Sequence, residues 1–215
     1  MINQFAEDYS DQPVVFIDYR YSMADPPEYP TPEFRWEIIR ATEEGLGLTW
    51  AVVDSGRMYN RGAETIEEAE EAFTEMLESA LARPAEAEMH ALWERVGDSV
   101  NVIVTVKNNS TITLSLANNA AVHAIVKEPN TVRPNHTTIN PGLDSGRAII
   151  ESLAPGETGT FSITVPNLDP INWDNVQVVV LVDYQVEPGS HYDQLQARFA
   201  SEVKNRLYLP SVLRP

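Results

Sequence analysis

Residues 175–184, Asn-Val-Gln-Val-Val-Val-Leu-Val-Asp-Tyr, constrain the fold of this chain more than any other stretch. Six of the ten are Val or Leu, and no polar residue interrupts the run from Val178 to Val182. Consecutive β-branched side chains without polar alternation predict a strand covered on both faces. Trp173 announces the strand, and Glu187-Pro188-Gly189-Ser190 closes it with turn-forming residues. A strand of this kind cannot stand alone and must have neighbours on both sides.

The segments from Glu86 onward read as those neighbours. Ala87, Met89, Ala91 and Trp93 alternate with polar residues, as do Val100, Val102, Val104 and Val106 after the turn at Gly97-Asp98. Asn108-Asn109-Ser110 turns, and Ile112, Leu114 and Leu116 alternate again. Further strands are expected at Ala120–Val126, Ala148–Leu153, Gly159–Val165, Asn175–Tyr184 and His191–Ala200. Short strands split by turn signals predict an all-β immunoglobulin-like or fibronectin-like sandwich over residues 86–202. Its one long connection, Glu128–Gly146 with Pro129, Pro134 and Pro141, is a candidate interaction surface.

Residues 1–85 follow another pattern. Pro13–Tyr19 is an apolar run that reads as a strand, and Tyr21–Pro30, with three prolines, is a loop. Thr31-Pro32-Glu33 starts a helix reaching Glu44. Leu48–Val53, the turn Asp54-Ser55-Gly56 and Arg57–Asn60 form a hairpin. Thr65 to Glu68 is a capping box, and Ile66, Ala69, Phe73, Met76, Leu77, Ala80 and Leu81 recur at helical spacing before Arg83 and Pro84. The expected unit is α+β, in the order βαββα.

That order resembles the C-terminal half of a thioredoxin-like fold, with Val14-Val15-Phe16-Ile17 as its strand, Gly45–Asp54 entering the hairpin, and the long last helix. The chain departs from that family in having no CxxC, and in carrying Leu48-Thr49-Trp50 where the fold has a proline before the hairpin strand. The resemblance therefore implies topology and no active residue. A half unit leaves a sheet edge and a helix face to be covered by something else, which suggests an interface.

Ser152-Leu-Ala-Pro-Gly-Glu-Thr-Gly-Thr-Phe161 looks like a turn common in exported sandwiches. Trp173–Asp183 followed by Tyr192–Ala197 resembles the end of bacterial exported proteins in which a thioredoxin-like domain precedes such a sandwich. The likeness spans roughly residues 13–200 and implies an extracellular or cell-surface setting. Residues 203–215 form a tail whose Leu207-Tyr-Leu-Pro-Ser-Val-Leu-Arg214 is similar to the endings of some secreted bacterial proteins. It is expected either to dock on its own domain or to be donated to a neighbouring subunit.

Charge and composition narrow the partners. The net charge is −17, with 6 Lys+Arg against 18 Asp+Glu before residue 86 and 9 against 14 after it. An acidic surface repels phosphate backbones and anionic headgroups, so nucleic acid and membrane surfaces are poor partners. With zero cysteines there is no disulfide, thiolate or Cys-ligated zinc chemistry, which removes redox activity. No run approaches the ~20 apolar residues of a membrane span, and Met1–Asp8 lacks the regions of a signal peptide. The chain is thus expected to be cytosolic, or a mature or truncated form of an exported protein.

Few residues suggest chemistry. Asp169, Asn172 and Asp174, with Asn167 and Asn175, crowd one loop and could supply oxygens to calcium, although Asx residues beside Pro166 and Pro170 also make ordinary turns. Asn109 and Asn135 head glycosylation sequons, and Asn108 heads an overlapping one. His90, His123, His136 and His191 lack the spacing of a metal pair, and Ser22, Ser55 and Ser190 lie in no nucleophile elbow. Among 32 acidic residues, a carboxylate pair of glycosidase spacing could arise by chance. The expected function is a non-catalytic exported or cell-surface structural or binding protein, a homo-oligomer associating through a sheet edge or the tail. The alternatives are a carboxylate-dependent hydrolase at the domain junction and a calcium-stabilised adhesin.

Overall fold

A computed structural model describes residues 8–9, 11–17, 51–60, 65–129, 132–133, 136–137, 142–168 and 171–203. The helix expected at 31–44, the strand's start at 48–50, Asn135, Asp169 and the tail at 207–214 lie outside the described residues.

The strands are β1 (Ala51–Val53) and β2 (Met58–Asn60), followed by helix α1 (Ile66–Leu81). The all-β part comprises β3 (Ala87–Val96), β4 (Ser99–Asn108), β5 (Leu114–Ser115), β6 (Ala121–Lys127), β7 (Val132–Arg133), β8 (His136–Thr137) and β9 (Gly142–Ile149). It continues with β10 (Ser152–Leu153), β11 (Thr158–Val165), β12 (Gln177–Gln185), β13 (Tyr192–Phe199) and β14 (Ser201–Glu202). The protein is mostly β.

Two four-stranded sheets, β11-β4-β3-β14 and β13-β12-β6-β9, carry the architecture. All their pairings are antiparallel except β14 on β3. Their facing sides share one core, in which the period-two residues of β3 and β4 meet Val122, Ala124 and Val126 of β6 and Val178, Val180 and Val182 of β12. This is a β-sandwich. The alternation read from Ala87 to Trp93 and from Val100 to Val106 faces inward throughout.

β12 is buried along nearly its whole length, including every residue from Val178 to Val182. Its inner side faces the other sheet. Its outer side supplies Val179 and Leu181, which with Ile125 of β6 pack against Val15 and Ile17. The double cover that the sequence demands is therefore present.

α1 begins with the full reciprocal capping box: the Thr65 hydroxyl accepts from the Glu68 amide, and the Glu68 carboxylate accepts from the Thr65 amide. Its Phe73 and Leu77 are buried against Tyr9, Val14, Phe16, Val53 and Met76.

Several expectations need correction. Residues 13–17 form no strand; Val14 and Phe16 face the helix, while Val15 and Ile17 face the second sheet. Before the sandwich the described residues include one hairpin and helix α1, and a thioredoxin-like unit is not shown by them. Leu116 does not continue the alternation of Ile112 and Leu114; it opens a 3-10 turn and is exposed. The connection after Glu128 is shorter than its composition suggests, since β9 begins at Gly142. β9 holds its place by pairing with β6 rather than by apolar periodicity. Gly146 permits that placement, since a Cβ there would lie 2.7 Å from the Thr164 carbonyl and 2.8 Å from Ile163 Cγ2. Among the described residues no helix is long and apolar enough to cross a membrane.

Candidate functional site

Among the described residues, the densest charged cluster lies where the hairpin and α1 meet β13. The β1–β2 turn takes left-handed conformations at Asp54 and Ser55 as well as at Gly56, with φ of 52°, 58° and 105°. Non-glycine residues adopt this region at a cost of roughly 1 kcal/mol each, so other contacts must hold the turn. They do so through Arg83, just beyond the helix. Its guanidinium donates to Asp54 Oδ2 at 2.8 Å, to Asp193 Oδ1 at 2.9 Å and to Glu86 Oε2 at 3.1 Å. Arg57 adds a second cation, donating to Asp193 Oδ2 at 3.0 Å, and Ser55 Oγ lies 3.4 Å from Gln194 Oε1.

Three carboxylates and two guanidinium groups thus form one partly buried network. Burial pushes the Asp54 carboxyl above its ordinary range, and the Arg83 hydrogen bond and charge offset only part of that rise. Burial pulls Arg83 down, yet Asp193 and Asp54 outweigh it and raise the guanidinium. Tyr184 is raised by burial first, then by the negative charges of Asp193 and Glu86. Such an arrangement locks protonation states and orients elements. Sequence reasoning placed carboxylates near this junction without identifying them; Asp193 lies over 100 positions from both Arg57 and Arg83, so no local spacing announces it.

A second polar group sits on the outer face of the β13-β12-β6-β9 sheet. His123 Nε2 and Asp183 Oδ1 are 2.8 Å apart, with side-chain exposures of 4% and 0%. β6 and β12 place them in nearly adjacent register, where Leu181 pairs with His123 and Asp183 with Ala121. One strand turn away, Lys127 donates to the Phe16 carbonyl at 3.2 Å and lies 5.1 Å from the Phe199 ring centroid. Burial lowers its amine to about 8. The extended residues 14–17 thus cover an apolar patch flanked by ionisable groups.

The loop nominated for calcium is wired as a turn. Asn172 Oδ1 accepts from the Asp174 amide at 3.3 Å, the Asn172 amide donates to the buried Glu128 at 2.6 Å, and Asn175 Nδ2 donates to the Pro129 carbonyl at 2.7 Å. Asp174 itself is exposed. No group of three His, Cys, Asp or Glu among the described residues is arranged to hold a metal.

The overlapping sequons separate cleanly. Asn108 is buried and its amide donates to the Ile112 carbonyl at 2.8 Å and the Leu153 carbonyl at 2.9 Å. Asn109 is exposed in the following turn. His90 is exposed on the outer side of β3, 3.5 Å from Glu88.

No family model matches the chain, and no curated protein matches it. Solved structures similar to it include the sporulation control protein Spo0M of Bacillus subtilis, at 19% identity over 55% of this chain and 50% of that one, with a TM-score of 0.35. HBP35 of Porphyromonas gingivalis is similar at 12% identity over 65% and 48%, with a TM-score of 0.42. The ligand binding region of serine-glutamate repeat protein A of Enterococcus faecium is similar at 12% identity over 55% and 98%, with a TM-score of 0.27. The chain spans about half the length of the first two. Similarities at this level carry no functional argument.

Proposed function

We propose that this chain is a non-catalytic structural or binding module of the cell exterior, built on an immunoglobulin-like sandwich and associating with copies of itself. The strand order supports the fold. β3-β4-β11 facing β9-β6-β12-β13 follows the order A-B-E against C′-C-F-G of fibronectin-type sandwiches. One observation carries the functional reading: the junction carboxylates found among the described residues, Asp54, Glu86 and Asp193, are each bonded to Arg83. A general acid or base has to meet its substrate within hydrogen-bond reach, and in each of these carboxylates a guanidinium already holds at least one oxygen. The His123–Asp183 pair has the chemistry of a proton-transfer dyad but is sealed from solvent.

The test is a hydrolase screen of the full chain beside Asp54→Asn and Asp193→Asn. The reading predicts no turnover above background in any of them, with loss of stability in both variants. A pH-dependent turnover abolished by one of these substitutions would favour a carboxylate-dependent hydrolase.

A further inference from the structure

The outer face of the β11-β4-β3-β14 sheet lies opposite the sandwich core, and its centre is apolar. Leu92 and Ile103 are direct cross-strand partners, 53% and 55% exposed, and Ser201 and Ser162 extend their row onto the flanking strands. Val203, 40% exposed, stands one step beyond the Glu202–Trp93 pair, on the same side as Ser201 and level with Glu94. Single exposed apolar residues are ordinary, and Leu116 on its isolated turn is one. Neighbouring ones at the middle of a sheet face mark a contact surface.

The size of the face decides against a stacked second copy. Because β14 contributes two residues, three strands ~4.8 Å apart and about eight residues long at ~3.3 Å each give a face of roughly 400 Å². Two such faces bury about 800 Å², short of the ~1,000 Å² of a specific interface. A segment tethered to the same chain needs less area, because it meets the face at an effective concentration in the millimolar range.

We infer that the chain's own residues 207–213 dock in cis across this face and cover Leu92 and Ile103. The path of the chain names that occupant first. The Val203 amide donates to the Trp93 carbonyl at 2.9 Å, so the residues that follow start at the edge of the face. Their reach is sufficient, since β4 with Ile103 is two strands, about 10 Å, from β14, and residues 204–206 span about 10 Å when extended. Their composition also fits. Leu207, Tyr208, Leu209, Val212 and Leu213 bring apolar surface, while residues 204–215 hold three of the chain's 15 Lys+Arg and none of its 32 Asp+Glu. A molecule of net charge −17 attracts such a segment, and Lys204 and Arg206 follow directly on the position level with Glu94. The inference does not rest on the self-association proposed above; it withdraws the tail from any neighbour and leaves that reading to other surfaces.

With no cysteine in the chain, an introduced pair reports only on itself. Ile103→Cys is combined in the full chain with Leu207→Cys, Leu209→Cys or Val212→Cys in turn, and the rate of disulfide closure under mild oxidant is followed by intact mass and gel mobility. A disulfide needs Cα atoms within about 7 Å, so the pair that the docked tail brings together should close fastest. Its closure is expected to be intramolecular and roughly 10-fold or more faster than in the same pair with the remaining apolar residues of 207–213 changed to Ser, a tail of equal length without the apolar contacts. Removal of residues 204–215 should in parallel raise the binding of a hydrophobic dye, and Leu92→Glu/Ile103→Glu in the shortened chain should abolish that rise. Pairs that all close no faster than their serine-tail controls overturn the docking. Disulfides that join two chains overturn its cis placement and assign the face to a neighbour's tail. Sedimentation of the wild type reads self-association separately, so either reading can fail while the other stands.

Discussion

Arg83 carries more of the structure than any other single side chain described, because three carboxylates from three different segments converge on it. Replacing it with Ala leaves Asp54 and Asp193, exposed by 15% and 9%, near one another with only Arg57 to compensate. The expected loss is about 2 kcal/mol, below the full cost of breaking a deeply buried pair because the group is partly screened. Urea denaturation measures it, and Arg83→Lys should recover only part, since an ammonium cannot reproduce the fork. Lys127 offers a pH signature. Its folded value of about 8 lies below the ordinary lysine value of 10.5. Below the lower value both folded and unfolded chains hold the proton and the cost of burying the ammonium is present in full. Between the two values the folded chain has released its proton while the unfolded chain keeps it, so stability rises with pH across that window. Subtracting the stability of Lys127→Met from that of the wild type should isolate this rise; a flat difference between pH 8 and 10.5 contradicts the burial of the amine.

At the scale of elements, legibility followed periodicity. β3, β4 and α1 could be read because Met89, Val104 and Phe73 each fall on a repeat that their element buries, and β12 because its apolar run from Val178 to Val182 is unbroken. β9 could not, since Gly142, Ser145 and Gly146 bring no apolar alternation and the strand is defined by backbone pairing and close approach to β11. Gly146→Val should therefore destabilise by about 2 kcal/mol, measured by thermal or chemical melting, because the contact at 2.7 Å is to backbone and cannot swing away. Residues 13–17 misled in the opposite sense. Four apolar residues in a row signal a strand, yet they lie between α1 and the second sheet and pair with no strand among the described residues. The candidate site was less legible than the fold. Arg83 was readable as the basic end of a helix and Asp54 as a turn former, but nothing local announces that Asp193 meets both. The loop at Asn172 could be read as calcium ligand or turn, and its hydrogen bonds follow the turn pattern. A chelator should accordingly leave the melting temperature unchanged, whereas a drop would assign a metal to Asp174 and its neighbours.

For the molecule as a whole, the sandwich has two outer faces with different fates. The outer face of β13-β12-β6-β9 is covered by residues 14–17, which are in turn backed by α1, and β13 is tied to the hairpin through Asp193. The outer face of β11-β4-β3-β14 keeps Leu92 and Ile103 exposed. The asymmetry depends on β12, like its neighbour β6, being sealed on both sides, and native-state hydrogen exchange reads that directly. The account predicts that the amides of Val178–Val182 exchange only through global unfolding, together with those of β6 and well behind those of β11 and β13. Exchange of Val178–Val182 at the rate of those outer strands would contradict it.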